Sequence, residues 1–183
     1  MFRLFTTRAE AVGTEVHRVG TRAEALDLLT DRLKQEGVAD GPGTWAVWAG
    51  CPFLDGLDRQ ELSARVPGLR FDVSRESAAG ALVGISQLDW GIAETGSIAQ
   101  DATSVDARLV STLPTTHIAL LPSDRLVPDL RAFLAVQGPS DANYLSVITG
   151  PSRTADIERV LTIGVHGPER LVVIVVDELG EAQ

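Results

Sequence analysis

The chain has 183 residues, 44% of them hydrophobic and 22% charged, and a formal net charge of −9. That composition suits one globular α/β domain with a substantial core and argues against disorder. The negative surface repels phosphate backbones and anionic lipid, so neither nucleic acid nor a membrane is an expected partner.

The start of the chain, Met1 to Glu10, lacks the apolar run of a signal peptide. No stretch reaches the about 18 apolar residues of a spanning helix, so the chain is expected to be cytoplasmic. Thr21 opens an amphipathic helix with Glu24 three positions on, a capping-box arrangement. Leu26, Leu29 and Leu33 then recur at helical spacing until Gly37. Gly41-Pro42-Gly43 is a loop, Trp45 to Trp48 a short strand, Asp58 to Arg65 a helix and Leu69 to Val73 a strand. Ser74 caps a helix running to about Leu82, by the usual preference for serine at that position. Glycine punctuation follows at Gly84, Gly91 and Gly96, around short extended pieces at Ile98-Ala99 and Arg108 to Ser111. Thr116 to Leu121 is a strand, Pro128 to Val136 a helix, Leu145 to Thr149 a strand, and Thr154 to Leu161 a helix. Leu171 to Val176 is a continuous apolar run, the signature of a strand buried on both faces. Strands alternating with helices imply a layered α/β fold with a largely parallel sheet. Residues 1–183 read as a single domain.

Residue scarcity removes several chemistries. Cys51 is the only cysteine, so the chain can form no internal disulfide and cannot alone supply the thiolates of an iron–sulfur cluster. Lys34 is the only lysine and follows no phosphate-loop glycines, which argues against Schiff-base and Walker-type roles. His17, His117 and His166 are far apart, with no HxH, HExxH or CxxC pairing, so no metal site is expected. Without a GxGxxG fingerprint no nicotinamide site is expected either, and the chain is read as carrying no cofactor.

Four constellations remain. In Ile92-Ala93-Glu94-Thr95-Gly96-Ser97-Ile98, Glu94 is either a general base, nucleophile or hydroxyl acceptor, or simply an exposed turn residue. Gly96 suits close backbone approach by a ligand. In Thr149-Gly150-Pro151-Ser152-Arg153-Thr154, a strand feeds the expected helix. Ser152 or Thr154 would cap it; either that is all, with Asp156 and Glu158 complementing the dipole, or its free N–H groups with Arg153 also form an anion site. In Gly164-Val165-His166-Gly167-Pro168, His166 is the best acid/base candidate, or a loop histidine bonded to nearby carbonyls. In Asp106 to His117, Arg108 and Ser111 lie at the mouth of a strand–turn–strand element, and His117 is read as a core histidine.

Taken together, IAETGSI (Ile92 to Ile98), RLVSTLPTTHI (Arg108 to Ile118), GPSRTADIE (Gly150 to Glu158) and GVHGP (Gly164 to Pro168) resemble the LutC/YkgG lactate-utilisation family. The resemblance covers roughly Gly80 to Val176. It implies a three-layer α/β/α fold similar to the sugar-phosphate isomerase and CoA-transferase superfamily. It also implies a role in oxidation of lactate to pyruvate beside LutA-like and LutB-like subunits, the latter an iron–sulfur protein. One branch of the family carries ferredoxin-like cysteine clusters; with Cys51 alone, this chain resembles the cluster-free branch. Glu94-Thr95-Gly96 is similar to the Glu-Asn-Gly element of CoA transferases, with threonine in place of asparagine. The resemblance therefore points to an accessory protein whose cleft binds a small carboxylate or other anion. Glu94, Thr95, Gly96, Ser152, Arg153, Thr154 and His166 would line it, with Arg108 and Ser111 behind. The competing expectations are a free-standing enzyme of the CoA-transferase, sugar-phosphate isomerase or folate cyclo-ligase type, and a scaffolding domain. Because ligands of open α/β sheets bind outside the carboxyl ends of the strands, Glu94 and Ser152–Thr154 are expected to face one concavity with His166 at its rim.

Overall fold

The computed structural model describes residues 1–138, 142–155, 161–164 and 166–179. The first half contains α1 (Phe2–Ala11), β1 (Thr14–Thr21), α2 (Arg22–Gln35), β2 (Ala46–Trp48), α3 (Arg59–Arg65), β3 (Leu69–Arg70), α4 (Arg75–Ala79) and β4 (Val83–Gln87). There follow β5 (Trp90–Ile92), β6 (Ser97–Asp101), α5 (Val105–Thr112), β7 (Thr116–Pro122), β8 (Leu126–Val127) and α6 (Leu130–Val136). The last elements are β9 (Leu145–Ile148), β10 (Arg153–Ala155), β11 (Leu161–Ile163) and β12 (Arg170–Glu178).

Six strands form a wholly parallel sheet in the order β1-β12-β7-β4-β2-β3. Side chains alternate between its two faces. Ile118, Leu120, Val172, Ile174 and Val176 pack with Ala25, Leu29 and Leu33 of α2 and Leu62 of α3. Their neighbours Ala119, Leu121, Leu171, Val173 and Val175 pack with Phe5 and Ala9 of α1 and Ile98 of β6. Val47 and Ala49 meet Ala78 of α4 and Val110 of α5. Helices thus cover both faces, and the architecture is three-layer α/β/α. The unbroken apolar run Leu171–Val176 is buried throughout, at about 1.5–3 kcal/mol for each large aliphatic side chain.

A second sheet, β8-β5-β6-β9, joins the α1 side; β5 pairs with β8 in parallel and β6 is antiparallel to both β5 and β9. The alternating pattern of β5 and β6 divides their side chains between two cores. Ile98 faces the main sheet, whereas Ile92 and Ala99 pack with Phe133 of α6.

The Thr21 capping box is present. Glu24 N–H donates to Thr21 Oγ1 and Thr21 N–H to the Glu24 carboxylate, both at 3.2 Å. Two expectations are corrected. The segment Val105–Thr112, which contains Arg108–Ser111, is helical rather than extended, because Leu109 and Val110 turn one helical face onto Ala78 and Ala81. The expected helix Thr154–Leu161 is corrected at both described ends, which are strands. Arg153–Ala155 instead pairs antiparallel with Leu161–Ile163, and 156–160 lie outside the described residues. The β-branched Thr154, Thr162 and Ile163 favour that strand pairing. Ser152 does not cap a helix either: its Oγ accepts from His166 N–H at 3.2 Å.

Candidate functional site

The GPSR and GVHGP segments meet across three hydrogen bonds. Ser152 N–H donates to Pro168 O at 2.9 Å and Gly164 N–H to Ser152 O at 3.1 Å; the third is the His166–Ser152 bond. They form one wall of a cleft of about 610 Å³ at the amino edge of the parallel sheet. Val12 precedes β1, Ser111 and Thr112 precede β7, and Pro168 precedes β12; all four line it. The opposite wall is β9 with Thr149. Strand β9 belongs to the smaller sheet, so its carboxyl end opens at the amino edge of the larger one. The general rule for parallel sheets therefore does not locate this cleft.

Arg153 and His166 are both exposed on the cleft wall. The Arg153 guanidinium lies against Gly13, where a Cβ would overlap it. Hydroxyls of Ser146, Thr149 and Ser152 also line it, whereas those of Ser111 and Thr112 donate to Arg108 O at 3.2 and 2.6 Å. None of the described residues that line the cleft carries a carboxylate, in a chain whose net charge is −9.

The predicted residues divide. Ser111, Ser152, Arg153 and His166 share the cleft. Thr154 follows on β10, opposite Thr162. Glu94 and Thr95 are exposed on the β5–β6 turn and are not among the residues lining the cleft. That turn nonetheless abuts it: Thr95 Oγ1 is 2.7 Å from Ser97 Oγ, which is 2.7 Å from Thr149 Oγ1. Gly96 meets the backbone of Arg8 and Ala9 in α1, so its close approach is to the chain itself. Arg108 donates to Ala102 O and Thr103 O and lies over the Tyr144 ring at 5.1 Å, outside the lining. His117 is buried in the core, its Nε2 2.9 Å from Ser86 Oγ, and burial pushes its pKa down to about 4.

Sequence reasoning did not single out Thr149, Ser97 or Gln100. The last of these donates to Ser111 Oγ at 3.1 Å from full burial. The available signal was the pair of hydroxyls two positions apart, Thr95 on the turn and Ser97 at the start of β6.

A larger concavity of about 950 Å³ opens at the carboxyl ends of β4, β7 and β12. It has the opposite character, with Asp89, Asp101, Asp124, Asp177 and Glu178 around it. Asp177 is bound there by Arg18 at 3.0 and 3.1 Å, and burial raises the pKa of Asp89. No helix among the described residues is long and apolar enough to cross a membrane, and no group of three or more histidine, cysteine or acidic residues among them is placed to hold a metal.

A family model described as LUD domain matches residues 2–176. The chain is 36% identical over 171 residues to lactate utilization protein C of Anoxybacillus flavithermus, covering 90% of this chain and 77% of that protein. With the protein of the same name from Macrococcus caseolyticus it shares 33% identity over 161 residues, 83% of this chain and 69% of the relative. Against that of an Exiguobacterium strain the identity is 40% over 114 residues, 59% of this chain and only half of the relative's length. The fold is similar to that of a DUF162 family protein from Deinococcus radiodurans, with a TM-score of 0.65 at 22% identity over 96% of this chain and 95% of that one.

Proposed function

The chain belongs to the LUD-domain family, and from that premise we propose that it is a cluster-free, LutC-like accessory protein in the oxidation of lactate to pyruvate. It works beside flavin-type and iron–sulfur partner subunits in the cytoplasm, and binds a small carboxylate or another anion in the amino-edge cleft. The observation that carries this reading is the lining: a guanidinium, an imidazole and several hydroxyls, with no carboxylate among the described residues that line it. An acidic protein that keeps acids out of one cleft retains there the electrostatics an anion needs.

Because Arg153–Ala155 is a strand, no helix begins at Ser152, and side-chain donors do the binding. Arg153 contributes the permanent charge and a fork of donors matched to a carboxylate. His166, whose N–H is fixed on Ser152, presents its ring at the same opening. Glu94, exposed on the β5–β6 turn and outside the lining, is assigned no role in binding.

The test is Arg153→Ala. Loss of one charge-assisted hydrogen bond is worth about 1.5–3 kcal/mol, so anion affinity should fall about tenfold or more. The melting temperature should barely move, as for other exposed substitutions. Isothermal titration with lactate and complementation of lactate-dependent growth read the two sides. A variant that binds and complements like the wild type removes the anion reading.

A further inference from the structure

Two hydroxyls of the cleft are held from behind by the same strand. Thr149, exposed on the cleft wall, has its Oγ1 2.7 Å from Ser97 Oγ, and Ser111 Oγ accepts from Gln100 Nε2 at 3.1 Å. Ser97 and Gln100 both lie on β6 and are only 2% and 1% exposed. Neither touches the cleft opening. We infer that β6 is the positioning strand of this site, its Ser97 aiming the Thr149 hydroxyl at an oxyanion, either carboxylate or phosphate, while its Gln100 holds the Ser111 wall in place. This rests on the anion reading of the cleft.

The directionality of hydroxyl chains carries the argument. Each hydroxyl donates one hydrogen and accepts at its oxygen. An acceptor in the cleft takes the Thr149 hydrogen; Ser97 then donates to Thr149, and Thr95, 2.7 Å from Ser97, donates to Ser97 in turn. Thr95 is exposed and completes its own set from water. The three dipoles then point one way, an alignment in which each bond strengthens the next. Gln100 acts in parallel. Its amide spends both donor directions, on Ala107 O at 3.4 Å and on Ser111, and leaves its Oε1 buried without a partner. A buried unsatisfied carbonyl is costly, and an amide held this way keeps the Ser111 oxygen occupied as an acceptor. The Ser111 hydrogen goes to Arg108 O at 3.2 Å, so Gln100 and Arg108 fix this hydroxyl between them, and Thr149 carries the hydroxyl that meets the ligand.

Titration calorimetry with L-lactate and, separately, with inorganic phosphate tests the assignment, the tighter probe naming the source of the oxyanion. Thr149→Val should weaken the tighter probe about tenfold, as expected for one hydrogen bond to a charge, while Thr149→Ser binds like the wild type. Ser97→Ala should weaken it about threefold through the lost alignment, yet add nothing when Thr149 is already Val. A purely structural Ser97 would lower affinity equally in both backgrounds. If Thr149→Val and Ser97→Ala bind like the wild type while Arg153→Ala has lost binding, the positioning role is wrong and the anion cleft stands. If the wild type binds neither probe at millimolar concentration, both fall.

Discussion

At the scale of single residues, His117 is the plainest source of acid sensitivity. It is 1% exposed, burial lowers its pKa to about 4, and its Nδ1 has no partner. The unfolded chain takes up a proton near pH 6.5, which the folded protein refuses until about pH 4. Because the folded pKa is the lower one, this group leaves stability untouched above about pH 6.5 and removes it as the pH falls, in all about 3 kcal/mol across the window. His117→Gln should be less stable at pH 7 yet lose less between pH 6.5 and 4, read as urea midpoints. An unchanged acid slope would show that other groups set it. The sequence placed this histidine in the core correctly, because it opens the apolar run Thr116–Leu121. What it could not supply was the Ser86 partner, which lies 31 positions away on a neighbouring strand.

At the scale of elements, legibility followed local signals. The Thr21–Glu24 box and the Leu171–Val176 run each carry their conformation in a few adjacent residues, and both are as read. The segment around Arg153 does not: Gly-Pro-Ser followed by acids imitates a helix start, but the partner strand Leu161–Ile163 takes its backbone groups. Elements α1 and β1 escaped notice because α1 buries only Phe5 and Ala9, and β1 is an edge strand with polar residues between its apolar ones. The candidate site was legible as motifs, since Ser152, Arg153 and His166 do meet. Its β6 backing was hidden, because hydroxyls paired across 52 positions leave no local pattern.

Gly96 joins two of these elements. It has φ +68°, and a Cβ there would stand 2.5 Å from the carbonyl carbon of Arg8 and 2.6 Å from Ala9 Cα. Gly37 has φ +82° with open space around it. Gly37→Ala should therefore cost only the left-handed backbone penalty, about 1–2 kcal/mol. Gly96→Ala adds overpacking of about 1–3 kcal/mol and should loosen α1 from the β5–β6 turn. Denaturant midpoints rank the pair; equal losses would mean that α1 gives way freely.

At the scale of the whole molecule, the two clefts lie at opposite edges of the parallel sheet, one lined by Arg153 and His166 without carboxylates among the described residues, the other by five acids with Arg125. The sheet order has a consequence in time as well. Strand β12 comes last among the described strands, yet it lies between β1 and β7. As the chain leaves the ribosome, β1 has no strand partner until residues 170–178 are free, and the edge of β7 that faces β12 stays unpaired for as long. Closure of the sheet is then a late event that joins the two ends of the described chain, of the kind that folds slowly and exposes its core to self-association meanwhile. Chains stopped before Arg170 should be protease-sensitive and prone to aggregate, while chains extended past Glu178 gain protection in one cooperative step, as pulse proteolysis of released and stalled products would show. A resistant stalled chain would mean that β7, β4 and β2 stand without the strand that completes them. Synthesis thus holds back the strand between β1 and β7 until every other described strand has emerged.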